Sequence, residues 1–407
     1  MNSTRSFVSN YNLFFIFVSI IWAPVQIYFL QIDGASRTIF ILGITAFLFN
    51  ITSFRKNKDV FNSPAFICWT ILVLYSIINS IKHGFVSQFG AFFFIRENFL
   101  DPYVFLVITI IELKNNKSKC LKVILFAQLI YLIIGASHIS YVAGARNSNM
   151  ELGNMLPLTA MCTVFVAGVL LSDNNLNGHW LSFVAIVLLA FYIIMLSAAR
   201  KAFGGVVIVL LGVVLSRNIK LNLKTLLLLL ASAAILYIGI QYLLADTMMG
   251  QRLAESSEQF DIPLSSNPIV NSFLMTLLGD RSVQYYAALE IFIQHPITGI
   301  GTLNFLYTSD VGYRLHTEYM VQLCENGLIG FILLMVYFFL LFKGLHQERI
   351  LGENVWVYLF GLLTVVFLNL TTWTYNMNYI MTIYAIIIVT VYSKNTIYEN
   401  SDSSQQR

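Results

Sequence analysis

The sequence predicts an all-α integral membrane protein with about twelve membrane-spanning helices and one long external loop. Of its 407 residues, 57% are hydrophobic and only 11% are charged, whereas an ordinary soluble domain has roughly 25% charged residues. The mean hydropathy is correspondingly high, at +0.74. So few charges also exclude a disordered chain, a nucleic-acid-binding protein and a coiled coil, because each of these needs a more polar composition.

The spans follow from the apolar runs. A helix that crosses a bilayer needs roughly 20 mostly apolar residues. With shorter runs included, the predicted spans lie near 11–30, 38–54, 65–81, 98–113, 119–138, 152–172, 179–197, 202–216, 224–244, 317–342, 354–372 and 376–393. The first run lacks a small-residue cleavage site, so we expect a retained helix rather than a secretory signal. Residues 1–393 are expected to form one polytopic membrane domain, and the polar residues 394–407 a disordered cytoplasmic tail.

The basic residues predict which side of the membrane each loop occupies. With both termini in the cytoplasm, fifteen of the 24 Lys and Arg residues lie inside and nine outside, as the positive-inside rule expects. Lysine accounts for ten of the inner fifteen. Arginine accounts for seven of the outer nine, namely Arg37, Arg96, Arg146, Arg200, Arg252, Arg281 and Arg314. Because the guanidinium fork suits phosphate and carboxylate groups, the outer arginines are candidates for substrate binding.

The long loop, residues 245–315, is predicted to lie outside and to contain an amphipathic helix over 280–294. His295 and Pro296 end that helix. By helical spacing, Arg281 shares one of its faces with Tyr285, Ala288 and Phe292. The segment 297–301, Ile-Thr-Gly-Ile-Gly, then permits a tight turn and close backbone approach. Loops of this length are usually functional.

The tenth span follows the loop directly. If its helix begins near Arg314, then Arg314, Glu318, Gln322 and Glu325 lie along one stripe. Glu325 is then about two turns inside the membrane, where a carboxylate is a functional candidate by default. Pairing of Glu325 with Arg314 or with another helix is the structural alternative.

The order of these motifs resembles that of the O-antigen ligase and polymerase superfamily of bacterial polysaccharide assembly. The matching residues are Arg281, Tyr285, Tyr286, Ala288, Leu289, Ile291, Phe292, His295, Pro296, Gly299, Ile300, Gly301, Phe305, His316, Tyr319, Met320, Leu323, Glu325 and 327–330. Upstream, Arg146 to Asn149 with Gly153 and Asn154, and the segment 196–202 around Arg200, are similar to two further family motifs. The resemblance covers roughly 146–330. One departure is Thr317, where the family commonly has asparagine.

The resemblance implies a glycosyltransferase C-like helical bundle that transfers sugar chains from undecaprenyl diphosphate at the outer face of the bacterial inner membrane. It implies a hexosyltransferase with a polyprenyl-diphosphate donor and no metal or other cofactor. The chain contains no Asp-x-Asp motif of the kind that binds a sugar-nucleotide metal. Preorganised arginines can stabilise a departing diphosphate without a metal.

Site roles follow from this resemblance. Arg200 and Arg281 are expected to bind diphosphate, with Arg146 and Arg314 as secondary candidates. His316 would act as base or hydrogen-bond partner for the attacking hydroxyl, and Glu318 or Glu325 would orient or replace it. Weaker candidates for substrate contact are Lys201, Tyr285, Tyr286 and Tyr319. Each has a structural alternative: snorkelling at a span end for Arg200 and Lys201, a surface charge for Arg281, an interfacial histidine for His316, and interface aromatics for the tyrosines.

The function predicted first is polymerisation of O-antigen or capsular repeat units on undecaprenyl diphosphate, with a periplasmic active site. Ligation of finished chains to lipid A core is the alternative, less favoured because ligases usually carry the complete His-Asn motif. A flippase or transporter is the second alternative; it is disfavoured because no internal repeat is apparent and few ionisable residues lie mid-membrane. The expected partners are the lipid-linked oligosaccharide and membrane lipids and, by family analogy, a chain-length regulator and a flippase.

Overall fold

The computed structural model describes residues 2–25, 37–84, 95–137, 150–173, 180–196, 199–216, 282–309, 315, 317–370, 372 and 377–393. The described residues form helices, turns and short connections, with no strand among them. The helices, in chain order, are α1 (Asn2–Val25), α2 (Arg37–Phe49), α3 (Ile51–Lys56), α4 (Lys58–Phe61), α5 (Pro64–His83), α6 (Asp101–Ser137), α7 (Met150–Ser172), α8 (Trp180–Leu196), α9 (Arg200–Ser216), α10 (Ser282–Gln294), α11 (Phe305–Thr308), α12 (Glu318–Ile350), α13 (Trp356–Asn369) and α14 (Asn378–Tyr392).

The described helices are those of an integral membrane protein. Five stretches are long and apolar enough to cross a bilayer: Ser6–Val25, Pro64–His83, Arg96–Ala136, Met155–Ser172 and Glu318–Ile350. Five shorter apolar helices accompany them: Thr38–Phe49, Trp180–Ile194, Lys201–Ser216, Trp356–Asn369 and Asn378–Tyr392. The predicted span 224–244, the first part of the predicted loop 245–315 and the tail 394–407 lie outside the described residues.

Helix α6 is broken at Asn116, whose backbone (φ −154°, ψ 79°) is not helical. The break lies between the predicted spans 98–113 and 119–138. Before it, Glu112 accepts a hydrogen bond from Asn12 of α1 at 2.6 Å. After it, Phe126 stacks on Phe17 of α1, with ring centroids 6.0 Å apart. Both halves of α6 therefore pack against α1.

Ion pairs tie several helices together near this break. Lys114 contacts Asp59 of α4, and Lys117 contacts Asp173, which follows α7, at 2.6 Å. Tyr358 of α13 donates to the same Asp173 at 2.8 Å. These residues mark one end of the bundle, which we call the lysine end.

Helices α9 and α13 run antiparallel and pack closely through glycines of α9. A Cβ on Gly204 would lie 3.1 Å from the Phe367 ring, and one on Gly212 would lie 3.0 Å from the Trp356 carbonyl oxygen. Small residues let backbones approach in this way in membrane bundles. The beginning of α9, at Arg200, therefore lies beside the C-terminal end of α13, far from the lysine end.

Candidate functional site

Three helices begin around the C-terminal end of α13. Besides α9, helix α10 reaches it through Tyr285, whose hydroxyl donates to the Leu370 carbonyl at 2.6 Å. Helix α12 reaches it through Tyr319, whose hydroxyl donates to the Val366 carbonyl at 3.0 Å. The Glu318 N–H also donates to the Thr372 carbonyl at 3.3 Å. Helices that begin at Arg200, Ser282 and Glu318 thus start at one place, which we call the α13 junction.

The structure describes some of the predicted site residues and not others. Arg200 is the first residue of α9, and Lys201 is half-buried in the first turn. Arg281 immediately precedes α10, but it lies outside the described residues, as do Arg146, Arg314 and His316. His316 is flanked by Leu315 and Thr317, both of which are described and buried.

The three predicted tyrosines differ in their surroundings. The hydroxyls of Tyr285 and Tyr319 bind the carbonyls of Leu370 and Val366, groups at a helix end that need donors. Tyr286 is 50% exposed. The structure thus gives Tyr285 and Tyr319 a role in holding the junction together, alongside the predicted substrate contact.

Helix α10 agrees in its bounds with the predicted amphipathic helix, and the structure shows which of its residues are buried. Gln284, Ala288 and Ile291 are buried, while Tyr285 is half-buried. The buried face packs against apolar residues of α12, including Met320 and Cys324. Contact with α12 therefore determines which face of α10 is buried.

Helix α12 is broken at Gly327 (φ 64°, ψ −167°), so the predicted span 317–342 is not one straight helix. The segment 296–301 lies against the break. Leu328 N–H donates to the Pro296 carbonyl at 2.8 Å, and Gly301 N–H donates to the Glu325 carbonyl at 2.8 Å. The polar backbone groups exposed by the break are thereby satisfied, as burial in a membrane protein requires.

Two glycines make this close approach possible. A Cβ on Gly299 would lie 2.5 Å from the Glu325 carbonyl carbon, and one on Gly327 would lie 2.3 Å from the Ile297 carbonyl oxygen. The Gly-Ile-Gly motif therefore serves to insert the end of the long loop into the break. This part of the predicted external loop is packed against a spanning helix.

Glu325 uses its carboxylate to hold the inserted loop. The side chain is 2% exposed and accepts the backbone N–H groups of Leu303 at 2.8 Å and Phe305 at 3.4 Å. The second of these bonds is at the start of α11. These contacts make Glu325 a structural residue of the loop, whatever further role it has in catalysis.

Glu318 begins a buried chain of side-chain hydrogen bonds along α12. Gln322 donates to Glu318 at 2.9 Å, and Asn326 donates to Gln322 at 3.1 Å. The stripe predicted from Arg314 therefore continues from Gln322 to Asn326, and not to Glu325. Helix α12 also begins at Glu318 rather than near Arg314.

Asn79 of α5 is a residue of this region that sequence analysis missed. Its amide donates to the carbonyls of Thr298 at 2.7 Å and Glu325 at 3.0 Å, and so it joins the loop to α12 just before the break. Thr302 adds a bond to the Asn326 side chain at 3.3 Å. The sequence did contain a signal for it: Asn79 is a side-chain amide within an otherwise apolar span, and such amides form hydrogen bonds to neighbouring helices in membranes.

Thr317 is the N-cap of α12. Its hydroxyl accepts the Met320 N–H at 3.4 Å, and the side chain is fully buried. Asparagine and threonine both serve well as N-caps. Threonine at this position therefore keeps the capping function but has no side-chain amide.

We expect Thr317→Ser to keep the cap and Thr317→Val to lose it. The valine variant should be less stable by about 1 kcal/mol, the usual contribution of an N-cap hydroxyl. Thermal unfolding of the purified proteins in the same detergent measures the difference. Equal melting temperatures for the valine and serine variants would contradict this role.

The α13 junction suits an anionic ligand. The N-termini of α9 and α10 carry partial positive charge, and the sequence places Arg200 and Arg281 at these same helix starts. Together these features favour phosphate groups. The described residues contain no group of three or more His, Cys, Asp and Glu side chains that could hold a metal ion.

Comparison with known proteins identifies this region. Residues 185–335 match the family described as O-Antigen ligase, and the match spans α9 to α11 and the broken part of α12. The curated proteins contain no match to the chain. The protein is a multi-pass helical membrane protein, and the match of residues 185–335 supports its resemblance to the O-antigen ligase and polymerase superfamily.

Proposed function

We propose that the protein is a polysaccharide polymerase that moves a glycan chain from undecaprenyl diphosphate onto a new lipid-linked repeat unit. The main support is the α13 junction, which lies within the region similar to O-antigen ligases. There the start of α9, which carries Arg200, meets the start of α10, which directly follows Arg281. A lipid-linked donor stays in the bilayer, so its diphosphate must be bound by cations at the membrane interface.

In the proposed reaction, a hydroxyl of the new unit attacks the anomeric carbon of the growing chain. The bond from that carbon to the diphosphate oxygen breaks, and undecaprenyl diphosphate leaves. Arg200 and Arg281 stabilise the charge that develops on the diphosphate. His316 takes the proton of the attacking hydroxyl or orients that hydroxyl, with Glu318 close by in the sequence.

Several elements of this proposal come from the family resemblance. These are the inner-membrane location and the outer-face site; the cytoplasmic termini and the external position of the long loop come from the distribution of the basic residues. The lysine end agrees with them: Lys114 and Lys117 lie there, at the end of the bundle opposite the α13 junction, as expected for a cytoplasmic face.

Thr317 favours polymerase over ligase. Ligases usually carry asparagine at this position, with an amide available to a substrate. Here the threonine hydroxyl is used by the Met320 N–H. Transfer to lipid A core is the alternative, and the experiment must distinguish it from polymerisation.

The glycan profile of a deletion strain tests the choice. Loss of a polymerase should leave lipid A core bearing single repeat units, and the wild-type gene should restore the ladder of long chains. Bare core together with accumulated lipid-linked polymer would show a ligase and overturn the proposal. An unchanged profile would exclude both functions.

A further inference from the structure

Gln284 is a polar residue on the buried face of α10. It is 4% exposed, and the other buried residues of this face, Ala288 and Ile291, are apolar. Its side-chain oxygen Oε1 has no hydrogen-bond partner in the structure described here. A buried amide oxygen is costly to leave unbonded, so each such atom calls for an explanation.

Thr372, just beyond the C-terminal end of α13, presents the same feature. It is also 4% exposed, and its hydroxyl Oγ1 has no partner among the described side chains and backbone. Its carbonyl, by contrast, accepts the Glu318 N–H at 3.3 Å. The backbone of Thr372 thus contacts α12, while its buried hydroxyl forms no hydrogen bond with the described residues.

These two atoms belong to the same region of the molecule. Tyr285, the neighbour of Gln284, binds the Leu370 carbonyl at 2.6 Å, and Thr372 follows Leu370 by two residues. Gln284 also lies three positions after Arg281 in the sequence. Gln284 and Thr372 therefore lie next to helix ends that meet at the α13 junction, where the diphosphate is proposed to bind.

The chemistry of the two atoms selects the ligand. An amide oxygen only accepts hydrogen bonds, so Gln284 Oε1 requires a donor, and a hydroxyl such as that of Thr372 both donates and accepts. Phosphate oxygens at neutral pH mostly accept and would not satisfy Oε1. Sugar hydroxyls donate and accept, and so they satisfy both atoms.

We propose that Gln284 and Thr372 form a sugar subsite that binds ring hydroxyls of the lipid-linked oligosaccharide. This subsite rests on the proposed function, because the oligosaccharide is the substrate assigned there. It lies beside the diphosphate site and would orient the sugar that takes part in transfer.

The test uses substitutions that keep side-chain volume and remove the polar atoms. For full-length protein in liposomes, supplied with lipid-linked repeat units from the parent strain, Gln284→Met and Thr372→Val should each raise the apparent KM. The expected increase is roughly threefold to tenfold, the usual effect of losing one hydrogen bond. Their melting temperatures should stay the same or rise, because an unbonded buried polar atom has been removed.

Gln128→Met and Thr109→Val in α6 are the matched controls. Both wild-type side chains are fully buried, and each also has an oxygen without a partner among the described residues. Neither residue contacts the α13 junction through any bond described above. Their substitutions should leave KM unchanged.

The outcomes separate the two proposals. Wild-type protein that forms no polymer from the lipid-linked units would overturn the proposed function. Active wild-type protein with unchanged KM in both variants would overturn the subsite alone. A lower melting temperature with unchanged KM would show that Gln284 and Thr372 serve the fold only, and an equal KM increase in the controls would also overturn the subsite.

Discussion

Replacing Arg200 with alanine is expected to abolish polymer formation while leaving the protein in the membrane. Removing one preorganised donor to a developing charge typically costs on the order of 10²–10³ in rate. Arg281→Ala and His316→Ala should have losses of the same order. Repeat-unit ladders from complemented deletion strains, with protein levels followed on immunoblots, measure the effect.

Arg37 supplies a matched control, because it begins α2 as Arg200 begins α9. Arg37→Ala should preserve the ladder if the effect is specific to the α13 junction. Arg200→Lys keeps the charge and loses the guanidinium fork, so it should give intermediate activity. Full-length polymer from Arg200→Ala, Arg281→Ala and His316→Ala alike would contradict the proposed mechanism.

Local sequence pattern was sufficient to predict the helices around the site. The predicted helix 280–294 corresponds to α10 (Ser282–Gln294), and His295 follows its last residue. This succeeds because amphipathic spacing and a following Pro296 are local signals. The resemblance to the family also held for the segment around Arg200 and for the motifs from Arg281 onward, which lie within the match at 185–335. The stretch Arg146 to Asn154 lies outside that match.

Long-range contacts account for what could not be predicted. The break in α12 depends on Gly327 meeting Ile297, which is thirty residues earlier in the chain. The partners of Glu325 are backbone N–H groups of the inserted loop, and no spacing rule identifies such partners. The burial of Gln284 could not be predicted either, because it depends on the contact between α10 and α12.

The inserted loop also restricts which residue can occupy position 327, where α12 is broken. Segment 296–301 can supply the missing hydrogen bonds of α12 only if its backbone contacts that of the helix. Contact at this distance leaves no room for a side chain at Gly327. Close packing of the inserted loop against α12 therefore depends on glycine at this position.

Gly327→Ala is accordingly expected to destabilise the protein by several kcal/mol and to abolish activity. The backbone at φ 64° and ψ −167° is nearly restricted to glycine and costs other residues roughly 1–3 kcal/mol. The new Cβ would in addition lie 2.3 Å from the Ile297 carbonyl oxygen, a backbone atom that cannot rotate away. Thermal unfolding and the yield of folded protein in detergent measure the loss.

Gly352→Ala separates the two contributions. Gly352 also has a positive φ, of +85°, but nothing lies within 4 Å of the position of its Cβ. This variant should show only the conformational cost, about 1 kcal/mol. If Gly327→Ala were no less stable than Gly352→Ala, the loop would not be inserted at the break. A large difference would instead show that the close contact between loop and helix at Gly327 contributes to the stability of the protein beyond the conformational cost.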